Sequence, residues 1–71
     1  MIDKMTNLKR IRLGAGITQL TVATDAGISL RTYQDYEQGR KNINGAAAIT
    51  VLRIAKTLNV PVEDLLELES S

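Results

Sequence analysis

The side chains that could do chemistry in this sequence are hydrogen-bonding groups, and the reactive groups of most enzymes are missing. The 71 residues contain no cysteine and no histidine. This excludes thiolate and imidazole metal sites and every Ser-His or Cys-His nucleophile. A site made of carboxylates alone remains open, but so short a chain offers little room for a substrate pocket. We therefore predict that the chain is not an enzyme and that it uses neither a cofactor nor a metal.

Planar and charged groups that can bind another molecule are concentrated between residues 29 and 44. Arg31 carries a guanidinium that can donate two parallel hydrogen bonds, and Gln34 and Asp35 follow it. A polar, basic stretch, residues 40–44, comes next and is predicted to be a loop. Such groups suit a polyanion that also presents hydrogen-bonding groups along its edges. Two adjacent basic residues in a loop are, however, equally typical of an ordinary solvated surface.

Charge is distributed unevenly along the chain. The net charge is only +1, but residues 1–56 hold all nine basic residues and four acids, a balance of +5. Residues 57–71 hold four acids and no base, a balance of −4. A basic body with an acidic end favours a protein that meets a polyanion with one side. A random scatter of surface charge explains the same numbers equally well.

Helices must position these groups, because glycine and proline interrupt a pattern of helical period and no strand-like alternation persists. Five are predicted in one domain spanning residues 1–71: 7–13, 19–26, 30–38, 45–58 and 62–68. Thr6 or Asn7, Thr18, Ser29 and Asn44 are the expected N-caps of the first four. Apolar residues at helical spacing are expected to face the core: Leu8, Ile11, Leu13, Leu20, Val22, Ala23, Ala48, Val51, Leu52, Ala55 and Leu58.

The central pair of helices has the features of a tight helical corner. Gly27 supplies the positive φ angle that a sharp turn after a helix needs. Ala23 is small enough for the two helices to cross closely, and Ile28 is expected to fill the corner between them. The second helix of such a unit lies at the surface, where it can enter a DNA major groove about 12 Å wide.

Several positions of this unit match a known family in type and spacing. They are Thr18-Gln19, Val22-Ala23, Gly27-Ile28-Ser29, Glu37-Gln38-Gly39, Leu58-Asn59-Val60 and Asp64-Leu65-Leu66. In them the chain resembles the Cro and phage-repressor family of helix-turn-helix proteins, also called XRE-like, over residues 7–67. The resemblance implies an all-α, lambda-repressor-like fold, a compact five-helix bundle with its helix-turn-helix at residues 18–39.

Two features depart from the usual family pattern. The connection between Gly39 and the fourth helix is about three residues longer than in most members, which affects how the loop would meet DNA. Tyr33 and Tyr36 stand where aliphatic residues usually line the inner face of the second helix of the motif. They are interpreted as core residues rather than as platforms for base stacking.

The resemblance assigns roles to individual residues. The family often pairs residues at the positions of Arg10 and Glu37, which would direct Arg10 to phosphates. Base reading falls to Leu30, Arg31, Thr32, Gln34 and Asp35. Arg31 suits guanine and Leu30 a thymine methyl, while Asp35 either accepts from cytosine or holds Arg31 in place. Phosphate contacts are predicted for Arg10, Gln19, Ser29, Arg40, Lys41, Asn42 and Asn44; for Ser29 a plain helix cap is an equally good reading.

These features together predict a sequence-specific regulator of transcription of bacterial or phage type, most simply a repressor that occupies an operator in double-stranded DNA. The few base-reading residues imply a homodimer, at least on DNA, with Val60, Val62, Leu65, Leu66 and Leu68 as candidates for either its interface or the core. The alternative is an antitoxin-like or adaptor module that mainly binds a protein partner. With no secretory signal or membrane segment recognisable, a cytoplasmic protein is expected, at the nucleoid when bound to DNA.

Overall fold

The computed structural model describes residues 5–67 and confirms an all-helical chain; no strand occurs within that range. The helices are α1 (Asn7–Ala15), α2 (Gln19–Ala26), α3 (Leu30–Gln38), α4 (Ala48–Leu58) and α5 (Val62–Leu65), with a 3₁₀ turn at Ile43–Gly45 before α4. α2 lies against both α3 and α4, and α5 packs between α1 and α4. None of the helices in residues 5–67 is long and apolar enough to cross a bilayer.

The first three helices begin with the same kind of cap. The side-chain oxygens of Thr6, Thr18 and Ser29 each accept a hydrogen bond from the backbone N–H three residues later. This satisfies one of the amide groups that have no partner inside the first helical turn. The predicted caps and the bounds of α2 and α3 are therefore confirmed.

Gly27 ends α2 in the left-handed region, with φ of +75°, and the backbone turns there toward α3. Gly27→Ala is expected to lower the free energy of unfolding by about 1–2 kcal/mol, the cost of placing an L residue in that region. The added Cβ would meet only the end of the Arg53 side chain, which can move away, so the backbone decides the effect.

Gly14→Ala is the matched control, because Gly14 lies within α1 and a Cβ there meets no atom within 4 Å. It should stabilise the fold by roughly 0.5–1 kcal/mol, since alanine loses less backbone entropy than glycine in a helix. Urea denaturation of the two variants measures both effects. Equal shifts of the same sign would contradict the assignment of Gly27 as a required left-handed residue.

The fourth helix begins three residues later than predicted, and its expected cap is wrong. α4 starts at Ala48 after Ala47, which makes no side-chain capping bond. The Asn44 side chain instead bonds the backbone of Glu67 twice, accepting from its N–H at 2.9 Å and donating to its carbonyl at 2.7 Å. Buried Ile43 lies in the 3₁₀ turn beside this pair, and α4 begins only after Ala47.

The core is formed by one stripe from each helix, with Leu8, Tyr33, Ile54 and Leu65 fully buried. On α4 the buried residues are Val51, Ile54, Ala55 and Leu58, which follow the helical spacing of i, i+3, i+4 and i+7. Four of the predicted core positions are exposed: Leu13, Leu20, Ala48 and Leu52. For Ala48 and Leu52 the prediction failed because α4 also carries apolar residues outside its buried stripe, such as exposed Ile49, so the inward stripe is ambiguous in sequence.

The last helix is shorter than predicted. α5 ends at Leu65, and Leu66 is extended, with its carbonyl accepting a hydrogen bond from the Asn7 side chain at 2.8 Å. Leu65 is fully buried, and Val60 and Val62 pack against the core. These three residues therefore serve the core, which is one of the two uses predicted for them. Leu68 lies outside the described residues.

Candidate nucleic-acid interface

The corner between α2 and α3 has the geometry that the sequence predicts. Ala23 is buried, and its carbonyl accepts a hydrogen bond from the Ile28 N–H at 3.1 Å. The Ile28 side chain packs against the core from the turn. This corner fixes α3 on the surface of the domain with one face inward and the other outward.

α3 has a buried face and an exposed face. Tyr33 and Glu37, one turn apart, are buried, which confirms Tyr33 as a core residue; Tyr36 is half-buried and packs against the core. On the other side, Leu30 and Arg31 are exposed. The remaining residues predicted to read bases are half-buried along the edges of the helix: Thr32, Gln34 and Asp35.

Glu37 is the only buried charged residue in the described chain, and donors from three helices surround it. Arg12 of α1 donates to both carboxylate oxygens, through Nε at 2.5 Å and Nη2 at 3.1 Å. Gln19 of α2 donates to Oε1 at 2.9 Å, and the Tyr33 hydroxyl donates to Oε2 at 2.7 Å. The Glu37 cluster, as we call these four residues, therefore joins α1, α2 and α3.

The surroundings of the cluster shift the pKa values of its titratable groups. Burial by itself would raise the pKa of Glu37, but hydrogen bonds from Arg12, Tyr33 and Gln19 outweigh it and hold that pKa below its ordinary value. The hydrogen bond to Glu37 raises the pKa of Arg12, and burial, followed by the same carboxylate, raises the pKa of Tyr33. Arginine and glutamate are thus charged and tyrosine neutral at physiological pH.

This shift predicts how stability depends on pH. Because the pKa of Glu37 is lower in the folded state than its ordinary value of 4.5, its stabilisation is complete above that value and is lost as the pH falls through the folded pKa. Urea denaturation between neutral and acidic pH should show this loss. In Glu37→Gln, which carries no titrating group there, the acidic decline should be shallower. Parallel curves for the two proteins would contradict the assignment.

The expected pairing of Glu37 with Arg10 is wrong, and Arg12 takes that place. Arg10 is exposed, and its guanidinium donates to Asn7 Oδ1 at 3.1 Å on the same helix. The helical period explains the choice: Arg12 lies four residues after buried Leu8 and shares its inward face, whereas Arg10 lies on the opposite side. The spacing from Leu8 was the signal in the sequence that identifies Arg12.

Gln19 lies inside the cluster rather than free on the surface. Its Nε2 donates to Glu37, and its Oε1 accepts from Gln34 Nε2 at 3.1 Å. Both ends of its amide are therefore engaged with protein groups. The phosphate contact predicted for Gln19 stays a prediction. To make it, the side chain would have to share its present hydrogen bonds or exchange one of them for a bond to phosphate.

Asp35 pairs with a different arginine from the one expected. Its Oδ1 accepts from Arg40 Nη1 at 3.3 Å, and its carbonyl accepts from the Lys41 N–H at 3.1 Å. The predicted support of Arg31 by Asp35 is wrong, since Arg31 makes no hydrogen bond or ion pair with any residue in the range 5–67. Arg31 is free to bind, while Asp35 orients the start of the basic loop.

The remaining polar candidates divide between structural and free groups. Ser29 caps α3, accepting from the Thr32 N–H at 3.1 Å. Asn42 accepts from the Asn44 N–H at 2.9 Å and so shapes the 3₁₀ turn, and Asn44 is bound to Glu67. Lys41 is exposed. Of the loop residues predicted to bind phosphate, Arg40 and Lys41 present charge at the surface.

The predicted base-reading residues lie on the exposed face and along the edges of α3, and Arg40 and Lys41 lie exposed in the loop after it. Within residues 5–67 no group of carboxylates has the arrangement of a metal site. The arrangement can donate hydrogen bonds and offer positive charge, with Leu30 as an apolar contact among them. The sequence-based prediction missed Arg12 as the partner of Glu37, although its spacing from Leu8 indicates it, and also missed Gln19 as the link to Gln34.

Comparisons with known proteins agree with this geometry. The family model described as "Helix-turn-helix" matches residues 8–65. Among solved structures, the chain is similar to the restriction-modification controller protein C.AhdI from Aeromonas hydrophila, with a TM-score of 0.72 and 23% sequence identity. That similarity covers 84% of this chain and 86% of the other and shows a shared fold. A search of curated proteins found no match.

Proposed function

The chain belongs to the helix-turn-helix family, of the Cro and phage-repressor (XRE-like) type, and on that premise we propose that it is a sequence-specific repressor of transcription that reads the major groove with α3. The family match supports the coarser statement, a DNA-binding regulator of transcription. The observation that carries the finer one is the exposed face of α3. There Arg31 has no partner within residues 5–67, while the opposite face is fixed by the buried Glu37 cluster.

Base reading is proposed for the residues on this exposed face. Arg31 can donate two hydrogen bonds to O6 and N7 of guanine, and Leu30 offers an apolar surface to a thymine methyl. Thr32 and Gln34 lie at the edges of the same face. A rigid helix suits this task, because a base-reading group loses less conformational freedom on binding when its backbone is already fixed.

Phosphate contacts are proposed for the groups around α3. Arg40 and Lys41 follow the helix on one side, and Arg10 lies exposed on α1. The starts of α2 and α3, at Gln19 and at Leu30 after Ser29, have free backbone N–H groups that suit a phosphate oxygen. Asn42 and Asn44 take part mainly by fixing the loop, since their side chains already serve the 3₁₀ turn and Glu67.

A homodimer on DNA is part of this proposal. One α3 reads only a few base pairs, and two copies on half-sites about one helical turn apart would give useful specificity. The core takes up Leu65 and most of Val60 and Val62. These three residues are therefore less suited to the interface than the sequence suggested. As a DNA-bound regulator, the protein would act in the cytoplasm at the nucleoid.

A salt titration tests DNA binding by the full chain. An operator is first selected from random duplex DNA, and its affinity is then measured at increasing salt. The logarithm of the affinity should fall linearly with the logarithm of salt concentration, with a slope of about 0.9 for each phosphate contact. A flat dependence, or no binding to any duplex at low salt, would overturn the proposal.

A further inference from the structure

A chain of hydrogen bonds runs from the core to the exposed side of α3. Oε1 of buried Glu37 accepts from Gln19 Nε2 at 2.9 Å, and Gln19 Oε1 accepts from Gln34 Nε2 at 3.1 Å. Gln34 lies one turn after exposed Leu30 and Arg31, so it shares their side of the helix. The chain thus ends at the surface that the proposed function places against base pairs.

The buried end of this chain fixes the direction of every bond in it. An ionised carboxylate has lone pairs and no proton, so it can only accept hydrogen bonds. Gln19 must therefore turn its amino group to Glu37, which leaves its oxygen toward Gln34. Gln34 in turn has to donate with its amino group. Reversing either amide would place two oxygen atoms against each other.

The outer end of the chain consequently has a defined polarity. Gln34 uses one N–H for Gln19, and its Oε1 accepts no hydrogen bond from any residue in the range 5–67. An amide on a free surface can rotate to offer either its oxygen or its amino group. In this protein the link to Gln19 holds the amino group and leaves the oxygen as the group available to a ligand.

Resting on the proposed function, we propose that Gln34 determines specificity at one base position by offering its amide oxygen to the exocyclic amine of adenine. Its second N–H can donate to adenine N7 at the same time, the paired contact that glutamine makes with this base. Guanine and thymine present only acceptors in the major groove at that edge and would face the Gln34 oxygen unfavourably. Gln19 acts here as a positioning residue, because it fixes the amide without touching the base.

The test is selection of binding sites from random duplex DNA by the full chain and three variants. Gln34→Ala identifies the position that Gln34 reads, as the one whose preference it abolishes. At that position the unchanged protein should favour adenine by roughly 5- to 150-fold, the range for a good paired contact. Gln19→Leu should reduce this preference to within a factor of about two, because the freed amide can read either kind of base. Preferences elsewhere in the operator should remain.

Gln38→Leu is the matched control, since Gln38 is an exposed glutamine at the end of the same helix and makes no side-chain bond with residues 5–67. Thermal unfolding verifies that each variant is folded, and Gln19→Met, which keeps the length of the side chain, replaces Gln19→Leu if that protein is unstable.

Three results would overturn this inference while leaving DNA reading intact. They are a preference for guanine or thymine at the position, an adenine preference unchanged in Gln19→Leu, and a Gln34→Ala protein with the original specificity. Enrichment of no sequence by the unchanged protein would instead defeat the proposed function itself, and this inference with it.

Discussion

Glu37→Leu is expected to lower the free energy of unfolding by about 3–5 kcal/mol, the usual cost of removing one partner of a buried ion pair. The change leaves Arg12 only 11% exposed without its carboxylate, and it also leaves the Tyr33 hydroxyl and the Gln19 amide without their acceptor. The single core of so small a domain rarely supplies more than about 3–5 kcal/mol of stability. A large part of the molecules should therefore be unfolded at 37 °C.

The double variant Arg12→Met/Glu37→Leu tests whether an uncompensated buried charge causes this loss of stability. If an uncompensated buried charge causes it, replacing both partners with apolar residues should recover most of the stability, as buried pairs commonly allow. Glu63→Leu is the matched control, because Glu63 is exposed on α5. Urea denaturation followed by circular dichroism measures all three proteins. A loss below about 1 kcal/mol for Glu37→Leu would mean that the pair is no stronger than a surface salt bridge.

The helices and their ends could be predicted because their determinants are local. Thr18 and Ser29 cap α2 and α3 through bonds to residues three positions later, and Gly27 turns the chain by its own φ angle. Such signals are contained within a few residues, so composition and spacing reveal them. The spacing of Tyr33 and Tyr36 also indicated correctly which face of α3 turns inward, since Tyr33 is buried and Tyr36 half-buried.

The start of α4 could not be predicted because distant residues decide it. Asn44 looks like a helix cap in sequence, yet its amide is bound to the backbone of Glu67, 23 residues away. Asn7, near the other end of the chain, also binds Glu67: the backbone N–H of Asn7 donates to Glu67 Oε2 at 2.6 Å. A capping residue has several partners of similar energy, and only the packed fold decides among them.

The partners within the candidate site were missed for a related reason. The family resemblance implies that Glu37 pairs with an arginine, but Arg10 and Arg12 both lie on α1, and only the inward direction of Leu8 separates them. Gln19 was assigned a phosphate contact because it opens α2 and resembles the phosphate-contacting glutamine of the family. The structure places it between Glu37 and Gln34, where it supports α3, and its phosphate contact stays a prediction.

Arg31→Ala is expected to weaken binding to the preferred operator by about 1–3 kcal/mol and to relax specificity at one base position. Arg31 is exposed in the first turn of α3 and makes no hydrogen bond or ion pair within residues 5–67, so its removal should cost little stability. Selection from random duplex DNA reports the specificity, and titration of the chosen operator reports the affinity.

Lys41→Ala distinguishes base reading from simple charge. Lys41 is also exposed and basic, but it lies in the loop after α3, so its loss should weaken binding to all sequences alike and reduce the salt slope by about one. For Arg31→Ala the sequence preference should change as well. If both variants weakened every sequence equally, Arg31 would be a phosphate contact, and base reading would have to fall to other residues on α3. If neither changed the affinity, α3 would not be the surface that meets DNA.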